Sequence, residues 1–307
     1  MDWTGVIPAV TTPFDAELKV DHAFLARHCR WMVEHGCSGI VALGSLGEGA
    51  TLTSQEKLEI LSTCIQAVGG QVPVAAGISA LSTAEAADLA RQAESQGCRG
   101  LMVLPPYVYK SDWREMKAHL VAIFQATELS CMLYNNPVAY GTDFVPEQVA
   151  ELASEFGNLT AVKESSTDVR RITGIRALIE DRLQILVGID DAIVEGIDAG
   201  AVGWIAGLVN AFPAESVALF EAARQGRGQD AFDIYRWFLP LLRLDTVPKF
   251  VQLIKLVQQE VGMGSARVRP PRLELTDSEF RQVQAILGQA LESRSSLPGI
   301  TSTSLGK

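Results

Sequence analysis

Short apolar runs recur along the chain with amphipathic stretches between them. The runs are Gly5 to Val10, Gly39 to Gly44, Val72 to Ile78, Gly100 to Pro105, Ser130 to Asn135, Leu159 to Glu164, Leu183 to Ile189 and Ala201 to Gly207. Each has strand length and near-continuous hydrophobicity, as expected of parallel strands buried on both faces. The intervening stretches carry helical spacing: Asp21 to His35, Ser54 to Val68, Ser82 to Gln96, Ser111 to Ala126, Pro146 to Phe156, Asp168 to Ile179 and a short Asp191 to Ala199. Several begin on Ser or Asp, whose side chains accept from the free N–H groups of a first helical turn, and Pro146 suits the first helical position. Strand and helix alternating in this way predict a (β/α)8 TIM barrel.

A weak internal repeat fits that reading. Gly36-Cys37-Ser38-Gly39, Gly97-Cys98-Arg99-Gly100 and Gly200-Ala201-Val202-Gly203 each stand where a helix ends and the chain must turn into a strand. After Ala211 the alternation stops and helical text follows, over Pro213 to Arg224, Asp230 to Leu242, Val247 to Val261 and Asp277 to Glu292. The expected organisation is barrel strands and helices over 1–211, an eighth helix and a C-terminal helical appendage over 212–292, and a frayed Ser/Thr/Gly-rich tail over 293–307.

Composition removes several function classes. A chain of 307 residues with 48% hydrophobic and 20% charged residues can bury a large core. Its net charge of −10, without a basic cluster, disfavours nucleic acid and anionic membranes, which need grouped Lys and Arg. The longest uncharged stretch, Ala199 to Ala214, is too short to span a bilayer and is broken by glycines and Pro213. No basic segment leads into an apolar run at the N-terminus, and the five cysteines, Cys29, Cys37, Cys64, Cys98 and Cys131, form no C-x-x-C pair. A reduced, cytoplasmic protein without a cysteine-ligated metal is expected. His22, His28, His35 and His119 all fall in helices, away from the strand ends, where packing or surface roles are expected rather than chelation.

Catalytic groups of such barrels lie at the C-terminal ends of the strands. Lys163 follows Thr160-Ala161-Val162 inside the sixth run, where a charged amine is costly to bury. Desolvation lowers an amine's pKa and leaves a nucleophile able to form a Schiff base; a lysine paired with Glu164, Asp190 or Asp191 is the competing structural role. Tyr134 ends the neighbouring fifth strand, where its phenol could move protons at an imine, or could only anchor the rim. Asn136-Pro137 forces an extended turn behind it. Gly44-Ser45-Leu46-Gly47-Glu48-Gly49 offers backbone N–H groups and a hydroxyl as a cradle for a carboxylate, with a plain glycine turn as the alternative. Asp190-Asp191 is expected to cap the short seventh helix in preference to holding a cation.

Four segments together, Gly5-Val6-Ile7-Pro8-Ala9-Val10-Thr11-Thr12-Pro13-Phe14, Gly44-Ser45-Leu46-Gly47-Glu48, Tyr134-Asn135-Asn136-Pro137 and Val162-Lys163-Glu164-Ser165-Ser166, resemble the dihydrodipicolinate synthase/N-acetylneuraminate lyase family over about residues 3 to 290. The resemblance implies a Schiff base between Lys163 and the 2-oxo group of pyruvate or a similar moiety, with Tyr134 as acid/base. It implies that the Ser45 hydroxyl and the backbone of Ser45 and Leu46 hold the carboxylate, and that Gly188, Ile205 and Tyr107 line the pocket. It further implies no metal or organic cofactor, and assembly as a homotetramer built from two dimers.

Three synthase features are altered. Ala139 stands where the synthases carry an arginine for a second carboxylate, Leu46 replaces the second of two threonines, and Val108 stands where a proton-relaying tyrosine is found. The stretches Tyr134 to Gly141 and Gly203 to Asn210 look most like the 1-pyrroline-4-hydroxy-2-carboxylate deaminase branch. The leading expectation is therefore a dehydratase or deaminase acting on a 2-oxo acid or cyclic imino acid. The alternatives are 4-hydroxy-tetrahydrodipicolinate synthase or another pyruvate-dependent aldolase, and a non-catalytic barrel that binds a 2-oxo acid as a regulator.

Overall fold

The computed structural model describes residues 1–106, 109–294 and 297–298. Eight parallel strands alternate with helices, each strand pairing with its sequence neighbour. The strands are β1 (Gly5–Pro8), β2 (Ile40–Ala42), β3 (Val74–Ile78), β4 (Gly100–Val103), β5 (Ser130–Asn135), β6 (Leu159–Glu164), β7 (Gln184–Val187) and β8 (Gly203–Ala206). Their order runs from β2 to β8 and back to β1 through the pairs Gly5 with Gly203 and Val6 with Trp204. Beyond the end of β1, Ala9 bridges Val41 and the Val10 N–H donates to the Val41 carbonyl at 2.9 Å, which brings the two free edges together. The result is a (β/α)8 TIM barrel. Nearly every strand residue is buried, the interior being filled by residues such as Ile7, Met102, Met132, Ala161 and Ile205.

The helices are α1 (His22–Glu34), α2 (Ser54–Val68), α3 (Thr83–Gln96), α4 (Trp113–Phe124), α5 (Pro137–Tyr140), α6 (Pro146–Glu155), α7 (Arg170–Ile179), α8 (Ile193–Asp198), α9 (Pro213–Arg224), α10 (Gly228–Leu242), α11 (Phe250–Glu260) and α12 (Asp277–Ser293). Starts follow the capping logic. The Asp21, Ser82 and Asp112 side chains accept from the N–H of Phe24, Glu85 and Glu115, and Thr53 with Glu56 and Thr276 with Glu279 form reciprocal capping boxes. The repeat glycines Gly36, Gly97 and Gly200 adopt φ of 96°, 98° and 106°, the left-handed turn that delivers each helix to its strand.

The one helix without a counterpart in the sequence reading is α5. Asn136 is extended, as the following proline demands, but Pro137 then opens a single helical turn, and the Asn136 side chain caps it by accepting from the Ala139 N–H at 2.9 Å. A turn this short leaves no periodicity in the sequence.

The helix α9 packs against β1 and α8 as the eighth barrel helix, and α10, α11 and α12 pack together behind it. The appendage shares the apolar core of the barrel through residues such as Phe238, Ile254 and Val257, and a buried ionic link adds to it. The Lys255 Nζ donates to Glu48 Oε1 at 2.8 Å and to the Thr12 carbonyl at 2.9 Å, and the Arg269 backbone N–H donates to Glu48 Oε2 at 3.0 Å. Lys255 and Glu48 are each 1% exposed. Part of the expected tail, residues 295–296 and 299–307, lies outside the described residues.

Candidate active site

Lys163 and Tyr134 are direct cross-strand partners, Tyr134 on β5 and Lys163 on β6. Their side chains therefore leave the sheet on the same face, and Lys163 Nζ lies 4.1 Å from the centroid of the Tyr134 ring. Both are buried. Burial lowers the amine from its ordinary value to about 8, against the pull of Asp245 and Asp190, which favour its charged form. Among the described residues no carboxylate comes within 4.0 Å of Nζ, so the alternative of a simple ion pair with Glu164, Asp190 or Asp191 is not the arrangement found. Burial also pushes the Tyr134 phenol up to about 12, while the Asn136 amide, donating to its oxygen at 2.9 Å, works the other way.

Glu164 faces away from this amine. It accepts from the Asn135 amide at 3.1 Å and from the Ser166 N–H at 2.6 Å, and the Asn135 side-chain Oδ1 in turn accepts from the Phe144 N–H at 3.0 Å. The Asn135 backbone carbonyl accepts from the Ser165 N–H at 2.9 Å, and these buried bonds fix the ends of β5 and β6, and with them the height at which Tyr134 and Lys163 emerge.

The glycine loop sits opposite. Ser45 meets the phenol of Tyr140 through a short oxygen–oxygen hydrogen bond. The Tyr140 ring stands edge-on to that of Tyr134, with centroids 5.8 Å apart. The Tyr140 side chain also hydrogen-bonds that of Tyr134, so Ser45, Tyr140 and Tyr134 form a chain of hydroxyls whose last ring lies beside Lys163. Leu46 is buried beside it, and Glu48, held by Lys255, adopts a left-handed φ of 54° that shapes the loop. Tyr140 was not singled out in the sequence. The signal was present in its position six residues beyond Tyr134, but only α5 folds it back.

Gly188, at the end of β7, is pressed against the lysine stem: a side-chain carbon there would lie 2.5 Å from Lys163 Cε and 2.7 Å from its Cγ. Only glycine leaves the lysine that room. Ile205 on β8 is buried in the barrel interior. Tyr107 and Val108 lie outside the described residues.

Asp190 departs from its expected role. Neither it nor Asp191 caps α8, whose first residue is preceded by Ala192. Its carboxylate instead accepts from the Trp204 indole at 2.9 Å, from the Gly207 N–H at 3.1 Å and from the Leu208 N–H at 2.8 Å, turning the end of β8 over the barrel mouth. Burial still raises it to about 6, partly countered by those bonds. The rim gains a second carboxyl, Asp245, from the turn after α10, a reach of the appendage to the mouth that no motif marks. Burial, and after it the charge of Asp190, lifts Asp245 well above the usual carboxylate range.

The histidines stay outside this constellation. His22 and His28 lie on α1, His35 at its end and His119 on α4. His28 is buried, its ring bonds to the Asn210 carbonyl at 2.8 Å, and desolvation lowers it to about 4. All five cysteines are free and buried. No helix among the described residues is long and apolar enough to cross a membrane.

Comparison with known proteins agrees with this architecture. The sequence profile of the dihydrodipicolinate synthetase family matches residues 2–290. A 4-hydroxy-tetrahydrodipicolinate synthase of Methanococcus maripaludis is 30% identical over 283 residues, 92% of this chain and 97% of that protein. The structure of the 4-hydroxy-tetrahydrodipicolinate synthase of Methylacidiphilum fumariolicum superposes with a TM-score of 0.92 at 26% identity, covering 96% of this chain and 98% of the other. A prophage protein of the dihydrodipicolinic acid synthase family from E. coli K12, solved in complex with pyruvate, superposes with a TM-score of 0.88 at 27% identity, covering 94% and 98%. With a family profile spanning nearly the whole chain and neighbours of the same barrel across more than nine-tenths of it, this chain belongs to the dihydrodipicolinate synthetase family of lyases.

Proposed function

We propose that this chain is a lysine Schiff-base lyase of a small 2-oxo acid or cyclic imino acid. The observation that carries the reading is the Tyr134–Lys163 pair: a buried amine lowered to about 8, 4.1 Å from the ring of a phenol held on the adjacent strand. The free amine attacks the C2 carbonyl, Tyr134 moves the proton from nitrogen to oxygen, and loss of water leaves the imine. The Ser45 hydroxyl and the Ser45 and Leu46 backbone hold the substrate carboxylate, and Gly188, Ile205 and Tyr107 line the pocket. A Schiff base is its own electron sink, so this chemistry calls for no metal or organic cofactor. A homotetramer in the cytoplasm belongs to the same proposal.

Within that chemistry we place the protein as a dehydratase or deaminase, such as a 1-pyrroline-4-hydroxy-2-carboxylate deaminase. Position 139 offers a methyl group where the synthases grip a second carboxylate with arginine, and the charged neighbours of the amine are the carboxyls of Asp190 and Asp245. Such a rim suits a substrate whose distal part carries hydroxyl or imino groups. The imine acidifies C3, a proton leaves there and hydroxide leaves C4. With a cyclic imine, attack at C2 also opens the ring and leaves its nitrogen as an amine on C5; after water is lost across C3 and C4 the double bond shifts to give a C5 imine, and addition of water to it releases ammonia and leaves an aldehyde.

A second reading is 4-hydroxy-tetrahydrodipicolinate synthase, the name carried by the relatives at 28–32% identity. The comparisons favour this synthase over the deaminase, for which only the site residues speak. A purely regulatory barrel is the least economical reading, since binding alone needs no buried nucleophile. Side-by-side kcat/KM values decide: efficient ammonia release from the hydroxypyrroline carboxylate and poor condensation of pyruvate with aspartate semialdehyde support the deaminase, and the opposite pattern returns the protein to the synthases.

A further inference from the structure

We infer that Asp245, supplied by the C-terminal appendage and not by the barrel, is the counter-charge that holds the Lys163 iminium. The inference rests on Lys163 forming the Schiff base and adds to that reading a residue outside the strand ends.

Asp245 ends the short turn Arg243–Asp245 after α10. It is partly exposed as a residue, yet its Oδ1 is buried and has no hydrogen-bond partner. An unsatisfied buried oxygen costs free energy and calls for an explanation. Its carboxyl rests on the Cα of Gly207, where a side-chain carbon would lie 2.5 Å from Asp245 Cγ and 2.8 Å from its Oδ2. The backbone N–H of that same Gly207 is already committed to Asp190. Two carboxyls therefore crowd one peptide at the end of β8, and Asp190 has three donors to satisfy it while the buried Asp245 oxygen has none.

The groups facing Lys163 account for what Asp245 can do. From β5 comes the Tyr134 ring, 4.1 Å from Nζ; the lysine stem packs on Gly188 at the end of β7, and the Asp190 and Asp245 carboxyls crowd Gly207 at the end of the neighbouring β8, from where their charge acts on the amine. Glu164, on β6 itself, is turned toward Asn135 and Ser166, and Asp191 lies 3.6 Å from Arg243. Of these, Asp245 exerts the largest pull toward the charged form of the lysine nitrogen. Asp190 is anchored by its three donors, so the unsatisfied Asp245 is free to respond to charge. In the free protein burial and the charge of Asp190 favour the protonated Asp245, and the charge of Lys163 works the other way. Once the imine forms, its nitrogen carries a positive charge for as long as the intermediate lasts, which favours the ionised form of Asp245, and that carboxylate stabilises the iminium in turn. Asp245 makes and breaks no bond in this role; it acts through the field at the nitrogen.

The test uses the intact protein with pyruvate as probe and borohydride as trap, comparing wild type with Asp245→Asn, which keeps shape and removes charge. The expected result is a half-saturating pyruvate concentration raised by about tenfold, the order expected for one lost preorganised charge contact. The pH midpoint of trapping should move to lower pH, because the amine loses the anion that favoured its protonated form. Asp245→Glu should recover part of both, and Asp191→Asn should move neither. Should Asp245→Asn fail to fold, Asp245→Glu and Asp245→Ser carry the same comparison. A folded, charge-free variant with an unchanged midpoint and unchanged pyruvate dependence overturns the inference. Failure of the wild-type protein itself to trap pyruvate on Lys163 would instead overturn the Schiff-base reading.

Discussion

Tyr140 places its phenol against the hydroxyl of Ser45 while its ring stands edge-on to Tyr134, 5.8 Å between centroids. The synthases are expected to use a second tyrosine near the position of Val108, and here a residue of the same chain, folded back by α5, occupies the link between the glycine loop and Tyr134. Tyr140→Phe keeps the ring packing and breaks the hydroxyl chain. Turnover should fall by about 10- to 100-fold, toward the low end of what a lost proton-transfer group costs, with a melting temperature near that of the wild type. An unchanged kcat removes Tyr140 from the relay.

Tyr134→Phe should be more severe. The phenol stands on the strand beside Lys163 with its ring 4.1 Å from Nζ, so kcat should fall by about 10²- to 10⁴-fold. The ring remains beside Nζ, and thermal denaturation should change little. A loss of stability comparable to a core deletion, with activity spared, would assign Tyr134 to the rim alone.

The pH dependence has a definite sign. Lys163 is lowered to about 8, so its reactive, neutral form grows with pH up to that point and is complete above it. The rate of pyruvate trapping should rise by about tenfold per pH unit below the midpoint and level off above about pH 8. Tyr134, raised to about 12, keeps its proton throughout and adds no alkaline fall in this range. A trapping rate that keeps climbing to pH 10 would mean an ordinary, solvated lysine.

The Lys255–Glu48 pair predicts a coupled loss. Lys255→Met leaves the buried Glu48 charge with only the Arg269 N–H at 3.0 Å and Arg272 at 3.8 Å and should cost up to about 3–5 kcal/mol of stability by denaturant titration. Since Glu48 shapes the loop that carries Ser45, KM for the 2-oxo acid should rise more than kcat falls. Adding Glu48→Gln to Lys255→Met should recover part of the stability, because removing both charges costs less than stranding one. Additive losses would contradict a direct pairing.

The barrel was legible because each strand is buried on both faces and therefore reads as an apolar run, and because glycines mark three of the turns into strands. Tyr134 and Lys163 were legible for a related reason: both sit at strand ends, and a lysine in an apolar run is conspicuous. Tyr140 and Asp245 were not. Tyr140 depends on a single helical turn whose cap is made by the side chain of Asn136, and Asp245 reaches the mouth through the packing of the appendage, 82 residues beyond Lys163 in sequence. Asp190 was misassigned because an acidic pair before a helix looks like a cap, whereas the Trp204 indole and the N–H groups of Gly207 and Leu208 offered it three donors.

The most direct measurement is the mass of the adduct. Treatment with pyruvate and borohydride should add about 72 mass units to one peptide, the reduced pyruvyl group on an activated amine, and fragmentation should place it on Lys163. Lys163→Ala should abolish the adduct. Equal trapping by that variant, or modification of another lysine, would contradict the account at its centre.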